Sequence, residues 1–341
     1  MFNIKVDLES KVAVYKQLVE QISSAVRDGR LKSGEIVPSM NVLSDELGIS
    51  KETVKRAYGI LRHNGVLDAR QGKGFYVADS KREEISVLFL IDKFSIYKQE
   101  IVRGFHQAVK KRTEDTILLF NQDIKVFEYF LNENLGKFDY YVVSPHFSLD
   151  EKVQEQARRL LRRIPNHKLI LVDRMVHGLQ GNYGAAYQDF ENDVYSGLMQ
   201  GIDKFTTVKK LKIITLPTSL YGPVINKRAG EFCKDNSIVC DFYCGVPDDI
   251  EYGDVFLILN SQLDSGLIAL VDKANSKGMT VGKDYFIISY NDSPVDRVVL
   301  NGLTTISTDF VKMGEEAAAM VNDRTMRKTH IEFKMNKRNT F

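Results

Sequence analysis

Long apolar runs are missing from this chain. No stretch of its 341 residues approaches the ~20 apolar positions that a membrane span needs. Asp7, Glu9 and Lys11 interrupt the start, so no charged-apolar-small leader is expected and the chain reads as cytoplasmic. Cysteine is scarce. Cys233, Cys240 and Cys244 are an odd set without CxxC spacing, which reads as reduced core thiols and not as a disulfide frame or a zinc site. The usual catalytic signatures are also missing: there is no GxSxG, HExxH, P-loop or GxGxxG. His63, His106, His146, His167, His177 and His330 are scattered, and Asp248-Asp249 follows Pro247 in an expected turn where solvation is the default. No enzyme activity, metal or cofactor is therefore expected. Charge excess is small as well, at +2 overall. Residues 1–82 hold 14 Lys+Arg against 10 Asp+Glu, and residues 83–341 hold 33 against 35. A mildly basic module on a neutral body fits that asymmetry, which alone does not establish nucleic-acid binding.

What is present is organised around residues 39–55, SMNVLSDELGISKETVK. Leu43, Leu47, Val54 and Ala57 give apolar spacings of 3 to 4, and Gly48-Ile49-Ser50 breaks the period with a turn and a fresh N-cap. Ser50 and Thr53 open a second helix whose first turn, Lys51-Glu52-Thr53, carries no core residue. An apolar underside with a bare polar tip suits the major groove. Upstream, Leu18, Ile22, Ala25 and Val26 line a helix that Gly29 ends, and Pro38-Ser39 starts the next one. The recognition helix should run from about Lys51 to His63. Gln71-Gly72-Lys73-Gly74-Phe75-Tyr76-Val77 reads as a glycine-tipped hairpin, which makes the module a winged helix.

Tyr15-Lys16-Gln17-Leu18, Gly34-x-x-x-Pro38-Ser39, Leu47-Gly48-Ile49-Ser50-Lys51-x-Thr53-Val54, Ala57-Tyr58 and Gln71-Gly72-x-Gly74-x-x-Val77 closely resemble the GntR-family winged-helix domain. The resemblance implies DNA contacts from Asn41, Lys51, Glu52, Thr53, Lys55, Gln71 and Gly72. Lys51 and Lys55 suit phosphates or guanine, and Thr53 a phosphate or a thymine methyl. Asn41 stands where the family usually has Arg. Glu52 puts an acid in the contact turn, where it can accept from cytosine N4, so the operator is expected to differ from the common family sequence.

Residues 79–84 read as a charged linker between a module at 1–78 and a body at 85–341. In the body, Ile85–Ile91, Thr116–Asn121, Tyr140–Ser144, Lys168–Asp173, Leu211–Leu216, Val255–Asn260 and Tyr285–Tyr290 are short β-rich runs separated mostly by helical stretches such as Tyr97–Arg112. That βα repetition predicts an α/β class with parallel sheets, about eight strands in two lobes, and a cleft at strand C-terminal ends. Lys168-Leu-Ile-Leu-Val-Asp173-Arg174, Lys227-Arg228-Ala229-Gly230, Asn260-Ser261-Gln262, Ser289-Tyr290-Asn291-Asp292, Gly302-Leu303-Thr304-Thr305-Ile306 with Met313-Gly314, and terminal Lys337-Arg338-Asn339-Thr340 resemble the effector domain of LacI-type repressors, related to periplasmic sugar-binding proteins.

That resemblance implies that Asp173, Arg228, Asn260 and Asn291 hydrogen-bond a small polyol. Ser95, Tyr97, Ser144 and His146, at or after strand ends, would add donors, and Tyr187 an aromatic face. Each has a plainer alternative: a strand-end salt bridge for Asp173–Arg174, a helix surface charge for Arg228, Asx turns for Asn260 and Asn291, a satisfied histidine for His146, and packing for Tyr97 and Tyr187. The expectation is a homodimeric transcription regulator, more a repressor than an activator, on a pseudo-palindromic operator in double-stranded DNA. A monosaccharide, a pentose or deoxyhexose, would be its effector. Two rivals are a DNA-binding protein fused to an aminotransferase-like enzyme, which the LacI-like motifs oppose, and an architectural DNA protein, which the large neutral body opposes.

Overall fold

The computed structural model describes residues 4–10, 12–70, 74–78, 84–217, 219–259 and 266–341. Helix α1 (Val14–Arg27) turns Leu18, Ile22 and Ala25 inward. Helix α2 (Met40–Leu47) begins where Ser39 Oγ accepts the Val42 amide at 3.3 Å. It stops at Gly48, whose φ of +63° is the left-handed cap that glycine adopts without strain. Helix α3 (Lys51–His63) begins with Ser50 Oγ accepting the Thr53 amide at 3.1 Å. Strands β1 (Leu67–Arg70) and β2 (Gly74–Val77) pair antiparallel. Leu18, Ile22, Leu43, Val54, Ala57, Leu61 and Val77 share one small core, so the module closes on itself. The winged arrangement read from residues 39–77 is present, while Gln71 and Gly72 lie outside the described residues.

The first lobe is built from β3 (Glu84–Ile91), α4 (Ile96–Ala108), β4 (Arg112–Leu119), α5 (Ile124–Asn134), β5 (Tyr140–Val143), α6 (Glu151–Leu161), β6 (Leu169–Asp173) and β7 (Gly184–Tyr187). The second follows with α7 (Asp193–Met199), α8 (Ile202–Phe205), β8 (Lys210–Ile214), α9 (Gly222–Asp235), β9 (Cys240–Tyr243), β10 (Asp254–Ile258), α10 (Gly266–Ser276), β11 (Phe286–Tyr290) and β12 (Thr304–Thr308). Helix α11 (Phe310–Asp323) returns to the first lobe. Strand β13 (Lys328–His330) joins the first sheet and β14 (Phe333–Asn336) the second. The orders are β13-β7-β6-β5-β3-β4 and β14-β12-β11-β10-β8-β9, parallel throughout except for β14 against β12. The chain thus crosses between lobes three times: after β7, after β12 and after β13.

Several edges differ from the expected ones. Strand β4 starts at Arg112, not Thr116, because it is an edge strand exposed along most of both faces, which admits Arg112, Glu114 and Asp115. The final strand is Phe333–Asn336, where Phe333 and Met335 alternate inward. Beyond it Thr340 is buried instead by donating to the Ile287 carbonyl at 2.8 Å. Among the described residues no helix is long and apolar enough to cross a membrane, and no cluster of His, Cys, Asp or Glu could hold a metal ion.

Helices α4 and α11 cross at two glycines. A methyl group at Gly104 would meet the Val311 carbonyl, and one at Gly314 the Ile101 carbonyl. Gly314→Ala should therefore lower stability by about 1–3 kcal/mol through overpacking, read as a drop in the urea midpoint. An unchanged midpoint would mean the two backbones do not touch there.

Candidate functional site

Two surfaces carry the polar chemistry that the cores do not use. The first is the start of α3. Val54, Ala57, Tyr58 and Leu61 are buried beneath it, and the Tyr58 hydroxyl donates to the Pro38 carbonyl at 2.8 Å. Burial, with a smaller contribution from Glu46, raises that phenol. Anchored from below, the helix leaves Lys51, Glu52 and Lys55 exposed, with Asn41 exposed on the first turn of α2. Glu52 lies 3.4 Å from Lys55 Nζ, so the acid of that first turn is balanced within the helix. The Thr53 hydroxyl lies 2.8 Å from Ser50 Oγ, part of the cap. Arg56, which the sequence reading passed over, lies with its guanidinium 3.9 Å from the centre of the Tyr15 ring.

The second is a cleft between the lobes, where β3, β5, β6 and β11 end. Its floor is a buried ionic cluster. Lys98 projects inward from α4 and its ammonium donates to Ser144 Oγ at 2.7 Å, to Asp92 Oδ1 at 3.1 Å and to Asp173 Oδ2. Ser144 donates onward to Asp92 at 2.8 Å, and His146 Nε2 donates to Asp173 at 2.8 Å. Gln188 Nε2 occupies the other Asp173 oxygen. Burial alone would raise both carboxyls, yet Lys98 and then His146 hold Asp173 well below the usual carboxylate range and Asp92 below its ordinary value. Burial would likewise lower Lys98, but Asp173 and Asp92 hold it above its ordinary value. The cluster stays ionised.

Above this floor is a cavity of about 150 Å3. At roughly 30 Å3 of liquid volume per water it has room for about five waters, the space of one small molecule. Three buried polar atoms at the cleft have no hydrogen-bonding partner among the described residues: Gln188 Oε1, the Tyr290 hydroxyl and Asn291 Oδ1. Phe190 and Tyr221 stack at 4.3 Å to form an aromatic wall, and Arg174 Nη1 donates to the Tyr221 hydroxyl at 2.8 Å. Asp173 and Asn291 both hold left-handed backbone angles, φ +73° and +70°. For non-glycine residues such angles cost about 1–3 kcal/mol and cluster at binding sites.

The structure brings Ser95, Tyr97, His146, Asp173 and Asn291 to the cleft, with Ser144 directly beneath. Ser95 Oγ caps α4 by accepting the Lys98 amide at 3.3 Å. Tyr187 is not brought there: its ring packs on the first lobe's core and lies 5.6 Å from His330, and the next residue, Gln188, faces the cavity instead. Arg228 is not brought there either. It lies on α9 beyond the cleft-facing Ile225, donates to the Glu191 carbonyl at 2.9 Å and pairs with Glu231. Asn260 lies outside the described residues. Sequence reasoning missed Lys98, Asp92, Gln188, Phe190 and Tyr221. One signal was available: Lys98 stands three residues before Ile101 on the apolar stripe of α4, a place for a cation only if carboxylates await it.

Residues 14–77 match the family described as "Bacterial regulatory proteins, gntR family", and residues 260–337 match "Periplasmic binding protein-like domain". The HTH-type transcriptional regulator TreR of Bacillus subtilis is 34% identical over 109 residues, 32% of this chain and 40% of that one. The chain spans between a third and two-fifths of the length of the first curated relatives it matches. Among solved structures, the trehalose repressor from Escherichia coli superposes with a TM-score of 0.56 at 12% identity, over 74% of this chain and 99% of that one. A LacI family transcriptional regulator from Enterococcus faecium with bound ribose gives 0.56 at 13% identity, over 75% and 98%. At these identities the structural likeness establishes the fold: a two-lobed, periplasmic-binding-protein-like body.

The ionic floor can be tested without a ligand. Asp173→Asn leaves Lys98 buried with one carboxylate and should cost about 3–5 kcal/mol of unfolding free energy. Because the folded carboxyl is held below its ordinary value of ~3.9, its stabilisation is complete above that pH and is lost as pH falls through the folded value. The gap between wild type and Asp173→Asn in urea midpoints should thus be constant from pH 5 to 8 and shrink below about pH 4. A gap that widens on acidification would contradict the assignment.

Proposed function

We propose that this chain, a gntR-type winged helix joined to a periplasmic-binding-protein-like body, is a transcription regulator whose operator affinity is set by a monosaccharide between its lobes. The reading is supported above all by three cleft atoms without a hydrogen-bonding partner among the described residues, Gln188 Oε1, Tyr290 OH and Asn291 Oδ1. Two of the three are acceptors only, so they call for ligand O–H or N–H donors. The Phe190–Tyr221 wall offers a surface for the C–H face of a sugar ring. A polyol satisfies both demands, and a ligand lacking the right hydroxyls leaves buried acceptors unpaired, which gives strong discrimination. The small cavity favours a pentose or deoxyhexose over a disaccharide.

At the other end, the exposed polar tip of α3 enters the major groove. Lys51 and Lys55 neutralise phosphates, and Asn41 and Glu52 read base edges. A homodimer in the cytoplasm places two such tips on the half-sites of a pseudo-palindrome. The Tyr187 ring and the Arg228 guanidinium are left out of the ligand set. As a repressor, the protein is released when the sugar binds the non-operator geometry more tightly, by about 1–3 kcal/mol for ordinary coupling.

A thermal-shift screen over monosaccharides tests the cleft. A true ligand at 100 times its dissociation constant adds about 2.7 kcal/mol, and Asn291→Gly, which keeps the left-handed backbone but removes the acceptor, should abolish the shift while leaving the unliganded melting temperature nearly unchanged. No stabilisation by any pentose, hexose or deoxyhexose would refute the sugar assignment. On the operator, Lys51→Ala or Lys55→Ala should weaken binding and reduce the slope of log K against log salt by about 0.9 for each phosphate no longer neutralised, measured by fluorescence anisotropy. An unchanged slope would place the DNA surface elsewhere.

A further inference from the structure

The recognition helix points one end at solvent and seats the other on the first lobe. Just past its C-terminus, the Gly65 carbonyl accepts from Arg324 Nη1 at 3.1 Å. His63 Nε2 accepts from Asn182 Nδ2 at 2.9 Å, and its ring meets that of His167 edge-on at 6.1 Å. Among the described residues no apolar cluster bridges the two bodies: the module's core stops at Val77 and the lobe's begins at Ile85. Cavities of about 440 and 660 Å3 lie along the seam, the first lined by Asp68 and Tyr76 on one side and Tyr140 and His167 on the other. A polar junction with so little packing is one that opens readily.

The seam and the cleft are opposite ends of the same elements. The turn at Asn166–Lys168 runs straight into β6, whose last residue is Asp173. Helix α11 starts at Phe310 on the cleft wall and finishes at Arg324, its left-handed cap, in the seam. We propose that this seam is a latch, in which Arg324 and an uncharged His167 hold the recognition helix at a fixed angle to the first lobe, and that displacing α11 or charging His167 releases it. In a regulator of the kind proposed above, an open latch frees the two DNA-reading tips from the spacing the body imposes. The latch itself does not depend on that reading.

The charges around His167 support the proton arm. Burial first, then Lys168 on its own turn and His63 and Arg62 on α3, pull its pKa down to about 4, with Asp68 on β1 opposing. Lys111, Asp139 and Arg324 complete the charged lining of the same cavity. A histidine whose folded value is depressed favours the closed form fully above its ordinary value of ~6.5, and loses that preference as pH falls toward 4.

The whole chain, with neither DNA nor sugar, decides the matter by small-angle scattering and amide exchange. Arg324→Ala and His167→Lys should enlarge the radius of gyration at pH 7.5, while the Gly65 and Val66 amides, which bond to Arg62 and Leu61 within the module, should keep their protection. Protection in β3 and β6 should persist, and Arg324→Lys should restore the compact form. Wild type should open between pH 6.5 and 4, and His167→Asn should remain closed across that window. Three outcomes would each overturn the latch: variants as compact as wild type, expansion that also strips protection from β3 and β6, or His167→Asn opening at the wild-type pH.

Discussion

One buried ammonium group organises the body of this protein. Lys98 is removed from water on the inner face of α4, and its charge is tolerable only because Asp92, Ser144 and Asp173 meet it there. Each partner stands at the end of a different strand, so a single cation ties β3, β5 and β6 to the helix that covers them. None of the three charges can be withdrawn alone without stranding the others in a low-dielectric interior. The close crossing of α4 on α11 at Gly104 and Gly314 passes the constraint to the helix that follows the second crossing between lobes. The first lobe therefore presents a rigid floor.

A rigid floor decides what is left for a ligand. Lys98, His146 and Gln188 occupy both oxygens of Asp173, so that carboxylate orients neighbours more than it offers itself. The cleft atoms still unsatisfied among the described residues belong to Gln188, Tyr290 and Asn291. Gln188 lies on the crossing after β7, Tyr290 ends β11 in the second lobe, and Asn291 follows it. A ligand that bridges them draws the lobes together. The crossings are themselves pinned where His330 Nε2 meets Asp193 Oδ1 at 2.8 Å, a contact between the first and third of them, with Asp193 raised above its ordinary value chiefly by burial. Closure must work against or around that pin.

Local chemistry was legible in the sequence wherever it acts over a few residues. Ser39, Gly48 and Ser50 announce caps and a turn that the structure realises to the residue, and βα repetition announces the parallel sheets. Long-range chemistry was not. Nothing local says that Lys98 faces Asp173, 75 residues away, or that Phe190 stacks on Tyr221. Resemblance placed an arginine at 228 in the ligand set, but the cleft receives α9 at Tyr221 and Ile225, upstream of that arginine. Tyr187 and Gln188 differ by the single step that sends alternate strand residues to opposite faces. Strand β9 (Cys240–Tyr243) and β7 (Gly184–Tyr187) are too short, and β7 too poor in branched residues, to stand out by pattern.

The most direct measurement is the operator dissociation constant at fixed salt, with and without a saturating cleft sugar, for wild type and for Gln188→Ala/Asn291→Gly. Sugar should change operator affinity about 5–150-fold in wild type and not at all in the double variant. A sugar that binds the cleft while leaving operator affinity untouched would contradict it.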